Sequence, residues 1–195
     1  MTTFTRLGGL AAGEALICMR PMAHHDASSA ECLVFAFKDG VLSKLGHDLK
    51  LRVGRFSMDV ADDASSVSAT FDLASLEVVC ARVNGADAPG ALSRGDLTKI
   101  HANLYKDVLE VKKHPEARFT SSRVTRDGEA YRVEGALRLH GTERPLSATL
   151  RPEGDRLVAE VELHQPDFGI EPFRAPLGVL KVKPSVTVRV AAPKP

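Results

Sequence analysis

The sequence predicts an all-β protein: an antiparallel up-and-down barrel of about eight strands with one inserted α-helix. Three observations carry this. Apolar and polar residues alternate strictly in several segments, most clearly from Tyr131 to His140. Turn residues separate those segments at short intervals. One stretch alone, between Leu97 and Val111, switches to a helical period. Alternation gives each strand one dry and one wet face, and closing the sheet into a barrel buries the dry faces and removes exposed edges.

Taken in order, residues 1–13 read as an N-terminal arm and residues 14–192 as a single barrel domain within the 195-residue chain. Ala15–Met19 is a short strand stopped by Pro21, and residues 21–30 form a loop. Glu31–Lys38 is a strong strand with Leu33, Phe35 and Phe37 on one side, although Val34 and Ala36 keep the other side apolar. Asp39-Gly40 marks a turn within a loop that runs to about His47. Leu49–Phe56 and Ser66–Leu73 alternate again, and Ala81–Gly95, with Asn84-Gly85 and Pro89-Gly90, is a long loop.

In the helix, Leu97, Ile100, Leu104, Val108 and Val111 fall on one stripe. Ser93 and Asp96 suit its start, Lys112, Lys113 and His114 suit its end, and Pro115 stops it. Strands resume at Ala117–Val124, Tyr131–His140, Pro145–Arg151 and Arg156–Leu163. Asp167–Gly178 is a loop marked by Pro and Gly, and Val179–Val190 is the last strand, with a bulge or break expected at Pro184.

The totals exclude some functions. Apolar residues make up 44% of the chain and charged residues 26%, an ordinary soluble balance. A net charge of +1 and no long basic run give no footprint for nucleic acid. No apolar segment has spanning length, so no transmembrane helix is expected. The start is a poor signal peptide, and Cys18, Cys32 and Cys80 form no CxxC pair. Three small buried thiols in a reduced compartment are the simplest account, although one disulfide is open; the expected location is cytoplasmic.

The order and spacing of several segments resemble the YceI-like family. Ser28-Ser29-Ala30-Glu31 leading into Leu33–Phe37 is similar to its opening strand, and Leu42-Ser43-Lys44 to the turn after it. Asp107–Ser121 resembles its helix-to-strand passage, Gly135–Leu146 its hairpin and Asp167-Phe168-Gly169-Ile170 its late loop. Gly46-His47-Asp48-Leu49-Lys50 resembles a subgroup with clustered histidines, of which this chain keeps His47. The resemblance implies a lipocalin-like barrel with a long apolar cavity. It also implies carriage or sequestration of a long-chain lipid or polyisoprenoid without catalysis.

The expected ligand-binding residues are Leu33, Phe35, Phe37, Leu49, Leu51, Phe71, Phe119, Tyr131, Leu137, Leu139, Leu163, Phe168 and Phe173. The wider inward set adds Val53, Val67, Val133, Leu146, Leu150, Leu157, Val161, Val186 and Val188, with small Ala69, Gly135, Ala148 and Ala159 among them. Small residues among large ones can open a slot or be close-packed, so the pattern alone leaves hollow and filled barrels both open. A ten-carbon chain gains on the order of 8 kcal/mol by burial before ordering and association costs. A polar headgroup then needs one or two partners at the mouth. The candidates are Arg82, Asn84, Arg94 and His101 on the long loop and the helix.

Phe168 and Phe173, in a loop bracketed by Gly169, Pro172 and Pro176, form a lid or fold back to cap the core. No cofactor is expected. No metal is expected either, because the adjacent His24 and His25 point apart and no HxH or HxxxH spacing occurs. No nucleophile elbow accompanies the cysteines, so no catalytic residue is assigned. Two alternatives remain: a filled barrel acting through a partner, for which a homodimer is possible, and an enzyme using His47, His101 or His140 in the barrel mouth.

Overall fold

A computed structural model describes residues 22–39, 46–175 and 180–194. The arm 1–13, the strand expected at Ala15–Met19, Cys18, Gly40, the turn Leu42-Ser43-Lys44, Pro176 and the start of the last expected strand lie outside these residues.

Twelve antiparallel strands form one sheet among the described residues. They are β1 (Met22–Asp26), β2 (Glu31–Asp39), β3 (Asp48–Val53), β4 (Phe56–Ala61), β5 (Val67–Asp72), β6 (Leu76–Val83), β7 (Ala86–Ala88), β8 (Glu116–Asp127), β9 (Ala130–Leu139), β10 (Thr142–Glu153), β11 (Arg156–His164) and β12 (Lys181–Pro193). The helix α1 spans Arg94–Asn103 and a π-helical turn continues it over Leu104–Val108. The all-β class and the single helix match the expectation, but the strand count of about eight does not.

The extra strands have local reasons. β1 forms within the expected loop 21–30, because His24 and His25 alternate across a strand edge and pair with Asp59 and Met58 of β4. The expected strand Leu49–Phe56 ends at the Gly54-Arg55 step as β3, and β4 follows over Phe56–Ala61, where no strand is expected. The expected loop after residue 81 is the end of β6 and a tight Asn84-Gly85 hairpin to β7, with both turn residues at positive φ (51° and 81°).

The sheet order β1-β4-β5-β8-β9-β10-β11-β12-β2-β3-β6-β7 describes a curled half-barrel with β1 and β7 at its edges, not a ring closed by hydrogen bonds. Its two ends meet at one corner. There the chain crosses twice, from β3 to β4 and from β5 to β6. The Gly54 and Arg55 N–H groups donate to the Ser75 carbonyl (3.0 Å) and Ser75 Oγ (2.8 Å), and the Asp72 N–H donates to the Arg55 carbonyl (3.0 Å). α1 packs against β6, and Val111 beyond its π turn packs on Leu73 and Ala117.

The helix starts where expected. Asp96 N–H donates to Ser93 Oγ (3.1 Å) and the Asp96 carboxylate accepts from Ser93 N–H (3.0 Å), a reciprocal cap. Pro184 breaks the ladder as expected, with a register shift between Val182 and Val186. His140 and Gly141, both at positive φ (51° and 77°), make the two-residue β9–β10 turn. At Gly135 a Cβ would come within 2.3 Å of the Thr120 carbonyl oxygen and 2.8 Å of Phe119 Cζ, so only glycine lets β8 and β9 approach there.

Candidate functional site

The concave face of the sheet encloses a cavity of about 590 Å³. Its wall is built from alternate residues of successive strands. Leu49, Leu51 and Val53 come from β3, and Val67, Ala69 and Phe71 from β5. Val133, Leu137 and Leu139 come from β9, Ala148 and Leu150 from β10, and Ala159, Val161 and Leu163 from β11. Val186, Val188 and Val190 of β12 complete the turn. Period-two alternation places all of these inward by the same geometry.

Of the thirteen residues expected to contact a ligand, nine line this cavity: Leu49, Leu51, Phe71, Phe119, Leu137, Leu139, Leu163, Phe168 and Phe173. Four do not. In β2 the inward residues are Cys32, Val34, Ala36 and Lys38, so Leu33, Phe35 and Phe37 belong to the other face. A strand apolar on both sides has no polar marker to fix its phase, and a one-residue slip exchanges the faces. Phe35 instead lies under the Arg82 guanidinium, 4.9 Å from ring centroid to Cζ. Tyr131 sits at the start of β9, beyond the hollow, with Arg126 5.8 Å from its ring centroid. From the wider set, Leu157 is buried outside the lining, and Gly135 contributes no side chain.

None of the four expected headgroup partners lines the cavity. Arg82 is occupied on the outer face by Phe35, the Gly85 carbonyl and Asp87, whose carboxylate is 3.3 Å from Arg82 Nε. Asn84 is an exposed turn residue at positive φ. Arg94 and His101 are on the exposed side of α1, where His101 stacks on Tyr105 with centroids 6.1 Å apart. The helix face turned to the cavity is Asp96, Lys99, Ile100 and Asn103, spaced three and four apart. The helix begins at the expected place but ends at Val108 rather than before Pro115, and its cavity-facing polar residues are not Arg94 and His101.

Polar groups therefore gather at one end of the hollow: Lys38, His47, Asp96, Lys99 and Asn103. Lys38 Nζ donates to the Gly46 carbonyl (3.2 Å), and its N–H donates to Asp48 (2.9 Å). Hydrogen bonds from Ser93 hold the Asp96 carboxyl below its usual range, with help from the Lys99 and His47 charges. Asp96 is thus ionised, and the end of the cavity mixes one carboxylate with two ammonium groups.

Deeper in, Gln165 is the one buried polar residue among those described. Its Nε2 donates to the Lys183 (3.1 Å) and Pro184 (3.3 Å) carbonyls, which the bulge in β12 frees from the ladder. The amide is thereby satisfied, and the wall stays apolar in effect.

The late loop folds back onto the core. Phe168 is 4% exposed and packs with Val108, Leu137, Leu163 and Ile170. The Phe173 carbonyl accepts from Val182 N–H (3.0 Å), which ties this stretch to β12. The three histidines of the enzyme alternative do not converge: His47 lines the cavity, His101 stacks outside it, and His140 packs on His114 with centroids 4.1 Å apart. His24, 60% exposed, bonds Asp59 through Nδ1 (2.8 Å). Among the described residues no helix is long and apolar enough to cross a membrane.

The comparisons agree with this architecture. The chain is similar over 51 residues to UPF0312 proteins of Pectobacterium carotovorum and Photorhabdus laumondii, 47% identical to each. These matches span 25% of this chain and 27% of each relative, so only about a quarter of those proteins is matched. Among solved structures, BcnA of Burkholderia cenocepacia superposes with a TM-score of 0.59 at 16% identity, covering 85% of this chain and 96% of that one. A polyisoprenoid binding domain from Saccharophagus degradans, implicated in plant cell wall breakdown, superposes with a TM-score of 0.57 at 13% identity, covering 90% and 99%. At these identities the likeness is one of fold. The model of the YceI-like domain matches residues 26–192, and the chain belongs to the YceI-like family.

Proposed function

We propose that this protein binds a long apolar amphiphile, a polyisoprenoid, quinone or fatty-acid-like lipid, inside the cavity, and carries or sequesters it without catalysis. The carrying observation is a hollow of about 590 Å³ whose wall is apolar except at one end. That volume lies in the usual range of ligand pockets. Apolar burial at about 0.8 kcal/mol per methylene suffices to hold a chain with no charged anchor along its length. The filled-barrel alternative expects no such hollow. The polyisoprenoid binding domain of similar fold supports a lipid ligand.

The apolar chain lies along the strands, and its polar end sits among Lys38, His47, Lys99 and Asn103. Two ammonium groups there suit an anionic or hydroxyl headgroup, and Asp96 sets a limit on negative charge. The separated histidines offer no acid–base constellation, so binding rather than turnover is the activity proposed. Cys32 and Cys80 are free and buried, as in a reducing compartment, and we place the carrier in the cytoplasm.

Mass spectrometry of an organic extract from purified protein tests the reading. The expected result is a long-chain lipid at close to one molecule per chain. An empty extract, together with no binding of a long-chain prenol or fatty acid by the delipidated protein, overturns it.

A further inference from the structure

A second cluster lies outside the cavity wall, where the segment after α1 meets the β9–β10 turn. Glu110, His114 and His140 each direct one donor atom there, and the three atoms lie within 4.8 Å of one another. His140 Nε2 is 3.5 Å from Glu110 Oε2, and the two imidazole rings are 4.1 Å apart. In a tetrahedral shell at zinc–nitrogen distances, donors stand about 3.3 Å apart. Small side-chain adjustments bring this set to that spacing.

The state of His140 is the second observation. Its side chain is 11% exposed, and its Nε2 is buried without a hydrogen-bond partner. A buried ring nitrogen left unpaired is uncommon in a folded protein. The ring does bond the Phe168 backbone, and Nδ1 is the nitrogen facing neighbouring Gly169. With Nδ1 on that side of the ring, Nε2 is directed at Glu110. Metal-binding histidines are oriented in this way, with the second ring nitrogen donating to a carbonyl. Lys113 Nζ takes the Glu110 Oε1 at 2.5 Å, leaving Oε2 toward the histidine.

The backbone is shaped to bring these groups together. Glu110 and His140 both adopt positive φ, 42° and 51°, which non-glycine residues rarely do. Gly141 leaves room for the His114 ring, since a Cβ there would lie 3.1 Å from His114 Cε1.

We propose that Glu110, His114 and His140 bind a divalent transition-metal ion of the zinc type, with a fourth position open to water. Two imidazoles and one carboxylate form a donor set that zinc accepts and magnesium or calcium does not favour. Leu109 and Leu139, next in sequence to two of the ligands, line the cavity, as does Phe168, whose backbone holds His140. The ion braces the segment after α1 against the hairpin that forms part of the cavity wall. The site stands independently of the lipid-binding reading.

The test uses the full-length, tag-free chain stripped with a chelator. It is titrated with Zn²⁺ by calorimetry and with Co²⁺ by visible absorbance. The expected result is one ion per chain, with affinity falling at least about tenfold in His114→Gln and in His140→Asn, which keeps a residue suited to positive φ. Zn²⁺ raises the Tm of the parent but not of His140→Asn. A double His24→Ala/His25→Ala control retains binding. Glu110→Gln, close in shape to the parent, replaces either histidine variant whose circular dichroism departs from native. No binding at sub-millimolar metal by the folded parent overturns the proposal. So does binding that survives both cluster substitutions, or that is lost in the control.

Discussion

Two hollows of nearly equal volume, about 590 and 580 Å³, lie on either side of a wall that includes Cys32 and Val53. The first is lined by aliphatic side chains. The second is bordered by Ser28, Ser29, Glu31, Arg52, Glu77, Glu153, Arg156 and Arg189. Most of its charges are already paired, and Arg156 donates to the Ala191 carbonyl (3.3 Å). Arg189 reaches Glu153 (2.7 Å), Glu160 (3.5 Å) and Glu31 (3.8 Å), and Arg52 meets Glu77 (2.5 Å). The polar hollow is bordered by ion pairs that a chain would have to desolvate. The apolar one gains free energy whenever a chain displaces water from it. Lining, not volume, decides which of the two takes a guest.

The strongest way to break this contrast is to fill one hollow at a time. Ala159→Phe projects a ring into the apolar cavity. It displaces the equivalent of about three or four methylenes, on the order of 3 kcal/mol, so lipid affinity falls about 100-fold while the fold is kept. Glu77→Leu on the polar side leaves affinity within about twofold. Fluorescent fatty-acid titration reads both, and equal losses would erase the distinction.

Gly135→Ala acts on the apolar wall itself. The new methyl collides with the Thr120 carbonyl and the Phe119 ring, and overpacking costs about 1–3 kcal/mol in urea unfolding.

Cys32 probes the shared wall. Burial, with a smaller push from Glu31, raises its thiol to about 12 from 9.0. Below pH 9 both folded and unfolded chains keep the proton. Above it the unfolded chain ionises first, and stability falls by up to about 1.4 kcal/mol per pH unit until the folded thiol also ionises. Cys32→Ala is expected to show a shallower fall between pH 9 and 10, measured by urea midpoints. An identical slope in both proteins would place Cys32 in contact with water.

The smallest effect belongs to the polar side. Arg52→Ala removes an exposed ion pair and changes stability by about 0.2–1 kcal/mol, less in high salt.

The contrast also explains what the sequence made legible. In β9, the charged Arg132 and Arg138 mark the wet face, so Val133, Leu137 and Leu139 could be assigned inward from pattern alone. β2 carries no such mark between Cys32 and Phe37. Choosing the larger residues as the interior follows the habit of packed cores. A hollow barrel inverts that habit here: Cys32, Val34 and Ala36 leave space inside, and Phe35 is covered outside by Arg82. The mouth was harder to read, because Lys38, His47 and Lys99 are far apart in sequence and converge only when α1 lies against β6. The Glu110–His114 spacing of four is in the sequence but carries no ligand signal by itself. Its partner His140 carries none either, because it reads as an ordinary residue before a turn and is distinguished only by its buried, unpaired nitrogen.

The most direct test of the central claim is a chain-length series. Delipidated protein is titrated with amphiphiles sharing one headgroup and differing by single methylenes. An apolar hollow that takes the chain predicts affinity rising about fourfold per methylene, about 0.8 kcal/mol each, until the cavity is full, and a plateau thereafter. Affinity that tracks the headgroup and ignores chain length would contradict it.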